Sequence, residues 1–299
     1  TLSTLAAAAG VNTVNFTGDA AGDTDTLILE AGFTNDITVD LDSQAVTGGA
    51  ASVNSIVATN YTKVLTVTAA DTDLVDAATT GAGAGGNVTI TGGTGSDTVK
   101  ITASGGTVAG EELSNITNVE KFEILANGTS TTEIAFANEN ATSTQILNVD
   151  ASAMTVGVTL DAVLEVDAKV SITGGSGDDA ITASASAHAS GDTILGGAGN
   201  DTISFGNTDL TLVDSVDGGA GSNTLSFSEN LAHAVVDADF TLVSNVQTLT
   251  TKAGEYLSAT IGTEAAAAGI TTVTFADTGD HDTLTVAAGF TNTLTVNLD

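Results

Sequence analysis

The chain has 299 residues, of which 37 are acidic and only five basic, all lysine, for a formal charge of −32. That balance excludes nucleic acid as a partner, because a phosphate backbone is held by basic patches, and the absence of cysteine excludes disulfides, thiolate metal sites and cysteine nucleophiles. The charge does not mean disorder, since 41% of residues are apolar and the mean hydropathy is +0.26, whereas unfolded acidic chains are poor in apolar residues.

The apolar residues are mostly Ala, Val, Leu and Ile, and Thr, Gly, Asp and Asn make up much of the rest. This mixture suits many short strands joined by tight turns. No run approaches the roughly 20 apolar residues of a membrane span, and residues 1–30 do not show the basic-then-apolar pattern of a signal peptide. The lack of cysteine does not place the chain in the cytosol, since a protein stabilised by divalent cations outside the cell needs no disulfides, and disulfides would obstruct export in an unfolded state. An internal or C-terminal export signal is one open alternative.

Taken from the start, residues 1–43 read as the end portion of a repeat unit. The stretch AAAAGVNTVNFTGDAAGDTDTLILEAGFTNDITVDLD (6–42) is restated, two residues shorter, at 265–299. Its Ala-rich start at 6–9, like 265–268, reads as a single helical turn, and its acidic stretch Asp19–Asp25, like Asp277–Asp282, reads as a solvated turn that could hold calcium. Residues 44–162 form a full unit, with strand alternation in TKVLTVTA (62–69) and one glycine-rich loop, GGTGSDTVK (92–100), containing Asp97. Its LSNITNVEKFEI (113–124) parallels FTLVSNVQTLTT (240–251), and its end at Leu160-Asp161 parallels Leu41-Asp42 and Leu298-Asp299. Residues 163–299 form the second full unit, and the partial unit at 1–43 leads us to expect a longer array than this window.

Within that unit, the block 165–226 carries GGSGDDAIT (174–182), GGAGNDTIS (196–204) and GGAGSNTLS (218–226), which start 22 residues apart. Degenerate partners at Asp192-Thr193-Ile194 and Asp214-Ser215-Val216 lie between them. Each period therefore holds two half-turns, and the aliphatic residues Val99, Ile181, Ile194, Ile203, Val216 and Leu225 are expected to point inward as a core one residue wide. The fold expected is all-β, an elongated parallel β-roll or β-helix solenoid built of tandem repeat units.

The nonapeptide follows G-G-x-G-x-D-x-U-x, the calcium-binding β-helix repeat. Calcium takes six to eight oxygens at about 2.3–2.6 Å, and glycine lets backbone carbonyls converge on an ion. On this basis Gly174, Gly175, Gly177 and Asp179, then Gly196, Gly197, Gly199 and Asp201, then Gly218, Gly219, Gly221 and Asn223 align along one edge, with two sites between successive loops. Asn223 closes the row with a neutral oxygen. Asp192 and Asp214 lie on the opposite edge, where loops without the glycines make a weaker site, and Asp97 stands in a loop without an equal neighbour.

These motifs resemble those of the RTX (repeats-in-toxin) proteins, and the long Thr/Ala-rich units joined to nonapeptide blocks look like RTX-containing bacterial surface-layer proteins. The resemblance implies type I secretion, folding in extracellular calcium (Ca2+) and self-assembly at the cell surface, with cell-surface polysaccharide as a further partner. No HExxH, GxSxG or GxxxxGK[ST] motif occurs, and His188, His233 and His281 are isolated, so no enzymatic activity is expected. Threonine alternations such as Thr13-Val14 and Thr271-Thr272-Val273 could suggest an ice-binding face, but they are not expected to stack at one period, and strand propensity explains them. The leading expectation is an extracellular structural subunit of a bacterial surface layer or sheath. The alternatives are the stalk of a giant RTX adhesin and the non-catalytic part of a secreted RTX enzyme.

Overall fold

The computed structural model describes residues 1–16, 24–41, 53–75, 88–126, 131–185, 190–206, 210–227, 234–252, 255–275 and 282–298. These residues are all-β, with parallel strands stacked turn upon turn as a β-solenoid, and divide into two compact units, Thr1–Asp150 and Ala151–Asp299. The helices are single turns or little more. Thr4–Ala8 and Thr263–Ala268 fall on the two Ala-rich stretches.

In the first unit one sheet runs in chain order through Thr13–Asn15, Ile37–Asp40, Leu65–Ala70, Thr98–Ala103, Lys121–Ala126 and Ile146–Asp150. Successive strands in space are successive turns in sequence. The register places Val14, Val39, Val67, Val99, Phe122 and Val149 in one column. Each inward residue from Val39 onward is buried, while its neighbours along the strand face outward with the period-2 alternation of a half-buried strand. Burial of each such aliphatic side chain stabilises the fold by about 1.5–3 kcal/mol.

The second unit repeats the arrangement. Val158–Asp161, Ala180–Thr182, Thr202–Phe205, Thr224–Phe227, Thr248–Thr251, Thr272–Phe275 and Thr295–Leu298 stack in chain order. Leu160, Ile181, Ile203, Leu225, Leu249 and Val273 form their buried inner column, and Val296 continues the register exposed on the last strand. On the other side Lys169–Thr173, Thr193–Leu195, Ser215–Asp217 and Val243–Ser244 stack likewise, with Ile172, Ile194, Val216 and Val243 in register. The core is wider than one residue per half-turn: Phe205 and Phe227 pair in register two residues beyond Ile203 and Leu225, and both are fully buried.

The outer face of this sheet holds an order that the sequence spacing hides. Thr202, Thr224, Thr248, Thr272 and Thr295 form one rank, and Ser204, Ser226, Thr250, Thr274 and Asn297 a second. Unequal loops separate these threonines in sequence, yet strand pairing restores the register, so the threonines do stack.

Corners are closed by polar side chains that accept the amide at the entry of a one-turn helix. Asp73 takes the Ala70 N–H at 2.9 Å, Glu112 that of Ala109, Asn140 that of Ala137 and Asp239 that of Val236. This is the reciprocal half of a capping box, and it satisfies a donor that would otherwise be orphaned.

Candidate metal centre

The three in-phase nonapeptides of the second unit lie one above another at the entry to the strands starting at Ala180, Thr202 and Thr224, which pair residue for residue at the 22-residue offset. Each sixth-position side chain is almost completely buried, Asp179 at 2%, Asp201 at 1% and Asn223 at 0% exposure. Their Oδ1 atoms form a ladder. Val158 N–H donates to Asp179 at 2.9 Å, Asp179 N–H to Asp201 at 2.9 Å and Asp201 N–H to Asn223 at 2.9 Å. Gln247 continues it, accepting the Asn223 N–H at 2.7 Å. A parallel, exposed ladder runs through the fifth position, where Asp178 accepts the Asn200 N–H and Asn200 accepts the Ser222 N–H.

The second side-chain atom of each sixth residue distinguishes the three loops. Asp179 Oδ2 accepts the Gly175 N–H at 2.6 Å. Asn223 Nδ2 donates to the Asn245 carbonyl at 2.9 Å and to that of Gly219 at 3.4 Å. Asp201 Oδ2 is buried and accepts no hydrogen bond.

What surrounds that oxygen follows from the first glycine of its loop. A Cβ on Gly196 would lie 2.5 Å from Asp201 Oδ2 and 2.6 Å from the Gly218 carbonyl oxygen. Two oxygens therefore converge over Gly196 with no proton donor between them. A Cβ on Gly174 would likewise meet the Gly196 carbonyl at 2.2 Å and Asp179 Oδ2 at 2.6 Å. Only glycine leaves this space open, which is why the first position of each loop carries no side chain. Gly197, Gly199, Gly219 and Gly221 have φ between +78° and +125°, the left-handed region that glycine enters at little cost.

The opposite edge is built differently. Asp192 Oδ1 accepts the Val170 N–H and its Oδ2 the Ser184 hydroxyl, while Asp214 accepts the Asp192 N–H on Oδ1 and the Thr211 amide and hydroxyl on Oδ2. Every carboxylate oxygen there has a protein donor. In the first unit Asp97, fully buried, accepts the Leu65 and Gly93 amides. The Gly92 carbonyl accepts from the Asn118 amide at 3.1 Å, and Gly93 from the same amide. Glu120 takes the Asp97 N–H at 2.7 Å, as Gln247 takes that of Asn223.

The two long-repeat landmarks thus do one job. In TNVE (117–120) and SNVQ (244–247), Asn118 and Asn245 adopt φ of 56°, Val119 and Val246 are buried, and the Glu or Gln caps the last nonapeptide of the stack. The parallel between the segments was visible in the sequence. Their capping role was not, because it depends on which turn lies beside them.

Burial pushes the Asp179 carboxyl up to about 6, with the Asp201 and Asp178 charges adding to it. Burial also raises Asp201 and Asp97, and it takes Asp192 up to about 6. Over Gly196 the raised Asp201 carboxyl faces a carbonyl with no donor, an oxygen-only environment of the kind that holds hard cations. Among the described residues no three His, Cys, Asp or Glu side chains are grouped to hold a metal, so an ion here would draw mainly on backbone carbonyls. The orphaned Asp201 oxygen, the cradle over Gly196 and the all-oxygen donor set fit calcium. His188, His233 and His281 lie outside the described residues, as do the acidic stretches 19–23 and 277–281. Asp282 accepts the Leu257 N–H at 2.6 Å.

No family model, curated protein or solved structure matches this chain. No helix among the described residues is long and apolar enough to cross a membrane.

Proposed function

We propose that this chain is a calcium-dependent structural β-solenoid of the bacterial cell surface, a subunit of a surface layer or sheath that folds and self-assembles with Ca2+. The observation that carries the reading is the donorless, buried Asp201 Oδ2 converging with the Gly218 carbonyl over Gly196, within stacked Gly-Gly-x-Gly-x-Asp loops. Asp201 with the Gly218 carbonyl over Gly196, and Asp179 with the Gly196 carbonyl over Gly174, would hold the ions of two inter-loop sites. When bound, calcium supplies the positive charge that five lysines against 37 acidic residues cannot.

The chain's own residues set the rest. The Oδ1 ladder fixes the carboxylates, the glycines keep the cradle open, and the buried columns hold successive turns at one spacing. A chain that binds an ion only when folded gains that binding free energy as stability. The tandem repeat and the resemblance to RTX surface-layer proteins support secretion, self-association and contact with surface polysaccharide.

The test is far-ultraviolet circular dichroism and thermal melting of the freshly purified chain, with calcium and with excess EGTA. Loss of β-signal or a large fall in Tm on chelation is expected, and an unchanged melt overturns the calcium reading. Electron microscopy with calcium then examines assembly: ordered arrays support the layer, and isolated rods overturn it in favour of an adhesin stalk.

A further inference from the structure

We infer that the Asn223 side-chain amide takes the place of a cation and thereby ends the row of cation sites at the loop 218–223. The inference rests on the calcium reading of that row and adds to it a rule for which loops take an ion.

The same environment occurs at successive turns with one atom exchanged. Over Gly196, Asp201 Oδ2 and the Gly218 carbonyl lie 2.5 and 2.6 Å from the Cβ position. Over Gly218, Asn223 Nδ2 and the Asn245 carbonyl lie 2.7 and 2.3 Å from the equivalent point, and there the pair is a hydrogen bond of 2.9 Å. Both sixth residues use Oδ1 identically, accepting the amide of the sixth residue one turn earlier at 2.9 Å. The difference is confined to the second atom: at Asp201 two oxygens face each other without a donor, and at Asn223 the amide supplies one.

An oxygen pair of this kind requires something positive between its members, a metal ion or a proton. The amide meets that need from within the chain. Asn223 is therefore no weakened ligand but a plug, and it stands at the last nonapeptide, beyond which Gln247 and Asn245 supply a turn without the glycine pair. In the first unit the corresponding pair is Asp97 Oδ2 and the Asn118 carbonyl over Gly92, and there the Gly93 N–H donates to Asp97 Oδ2 at 2.6 Å.

Two reciprocal substitutions test this, read by calcium stoichiometry and by Tm with and without EGTA on the full chain. Asn223→Asp creates a second donorless oxygen, and one additional calcium ion per chain is expected in equilibrium dialysis. Asp201→Asn extends the amide row by one turn; its Tm in EGTA is expected to rise above that of the wild type, and its gain in Tm on adding calcium to shrink by more than half. Calcium binding by the wild type with unchanged stoichiometry in Asn223→Asp overturns the inference. So does an Asp201→Asn protein as calcium-dependent as the wild type, which decides the matter if Asn223→Asp fails to fold. If the wild type binds no calcium, the calcium reading fails by itself. A rise in the EGTA Tm of Asp201→Asn would then still support the amide as a charge substitute, with a proton as the species replaced, and no rise would overturn it.

Discussion

Replacing Glu165 with glutamine should stabilise the second unit in a strongly pH-dependent way. Glu165 is fully buried at the fourth position of an i→i+3 turn from Ala162, where equivalent turns place Phe33, Tyr61 and Met154, each fully or almost fully buried. Its Oε1 accepts the Asp167 and Ala168 amides at 3.1 and 2.8 Å, and its Oε2 has no partner. Burial, with the Asp167 carboxylate beside it, pushes the carboxyl from 4.5 up to about 7. Between those values the folded chain holds a proton that the unfolded chain has released, so this contribution is fully present below pH 4.5 and is lost as pH rises through 7. At about 1.4 kcal/mol per pH unit, the loss amounts to roughly 3 kcal/mol. Glutamine keeps the Oε1 acceptor and cannot ionise. Glu165→Gln should therefore exceed the wild type by up to about 3 kcal/mol at pH 8, roughly 6–12 °C in Tm for a unit of this size, and match it at pH 4.5. Urea unfolding of both proteins at the two pH values and one fixed calcium concentration measures this difference. A difference independent of pH would refute the reasoning.

Gly196→Ala puts a methyl group into contact at 2.5 Å with Asp201 and 2.6 Å with the Gly218 backbone; the expected outcome is loss of the calcium-induced rise in Tm, measured by scanning calorimetry. Asn140→Ala removes the acceptor for the Ala137 amide and the donor to the Leu113 and Ile116 carbonyls, all in a fully buried setting. A destabilisation of about 3–5 kcal/mol is expected from the three lost bonds, checked by denaturant midpoint. Asp214→Ala leaves the Thr211 and Asp192 donors unpaired, so it should lower Tm by similar amounts with and without calcium, whereas Asp201→Ala should abolish the calcium increment.

The fold was legible because its determinants are local and periodic. Glycine-rich loops 22 residues apart place Ile181, Ile203 and Leu225 in one column, and the structure pairs them in that order. The outer threonine rank was not legible, since Thr224, Thr248, Thr272 and Thr295 are separated by 24, 24 and 23 residues and only strand pairing equalises the loops between them. At the site, residue types located the row but could not show the second atom of each sixth side chain at work. That Asp179 has a donor while Asp201 lacks one depends on the Gly175 amide, and Gly175 and Gly197 stand in identical Gly-Gly pairs. Glu165 was invisible for another reason: its sequence, AVLEVDA, resembles any exposed acidic turn, and its burial comes from the turns stacked around it.

The number of donors separates Asp71 from the other buried acidic groups of this chain. Asp71 is fully buried, and burial pushes it upward, yet the Ser104 hydroxyl and the Ser104, Gly106 and Thr72 amides outweigh that and hold its carboxyl below the ordinary value. Asp201 is as buried, receives the Asp179 amide on one oxygen, and is raised. Lysine does not serve these buried groups: the ion pairs among the described residues, Lys100 with Glu123 at 3.0 Å and Lys121 with Asp150 at 2.7 Å, lie on an outer sheet face. Backbone amides and hydroxyls thus meet most of the buried carboxylate oxygens at fixed places in the fold, while burial still raises Asp97, Asp179 and Asp192. On the proposed calcium reading, dependence on an external ion would be concentrated where a loop carbonyl faces a carboxylate with no donor between them, and calcium would then govern the stack through very few residues.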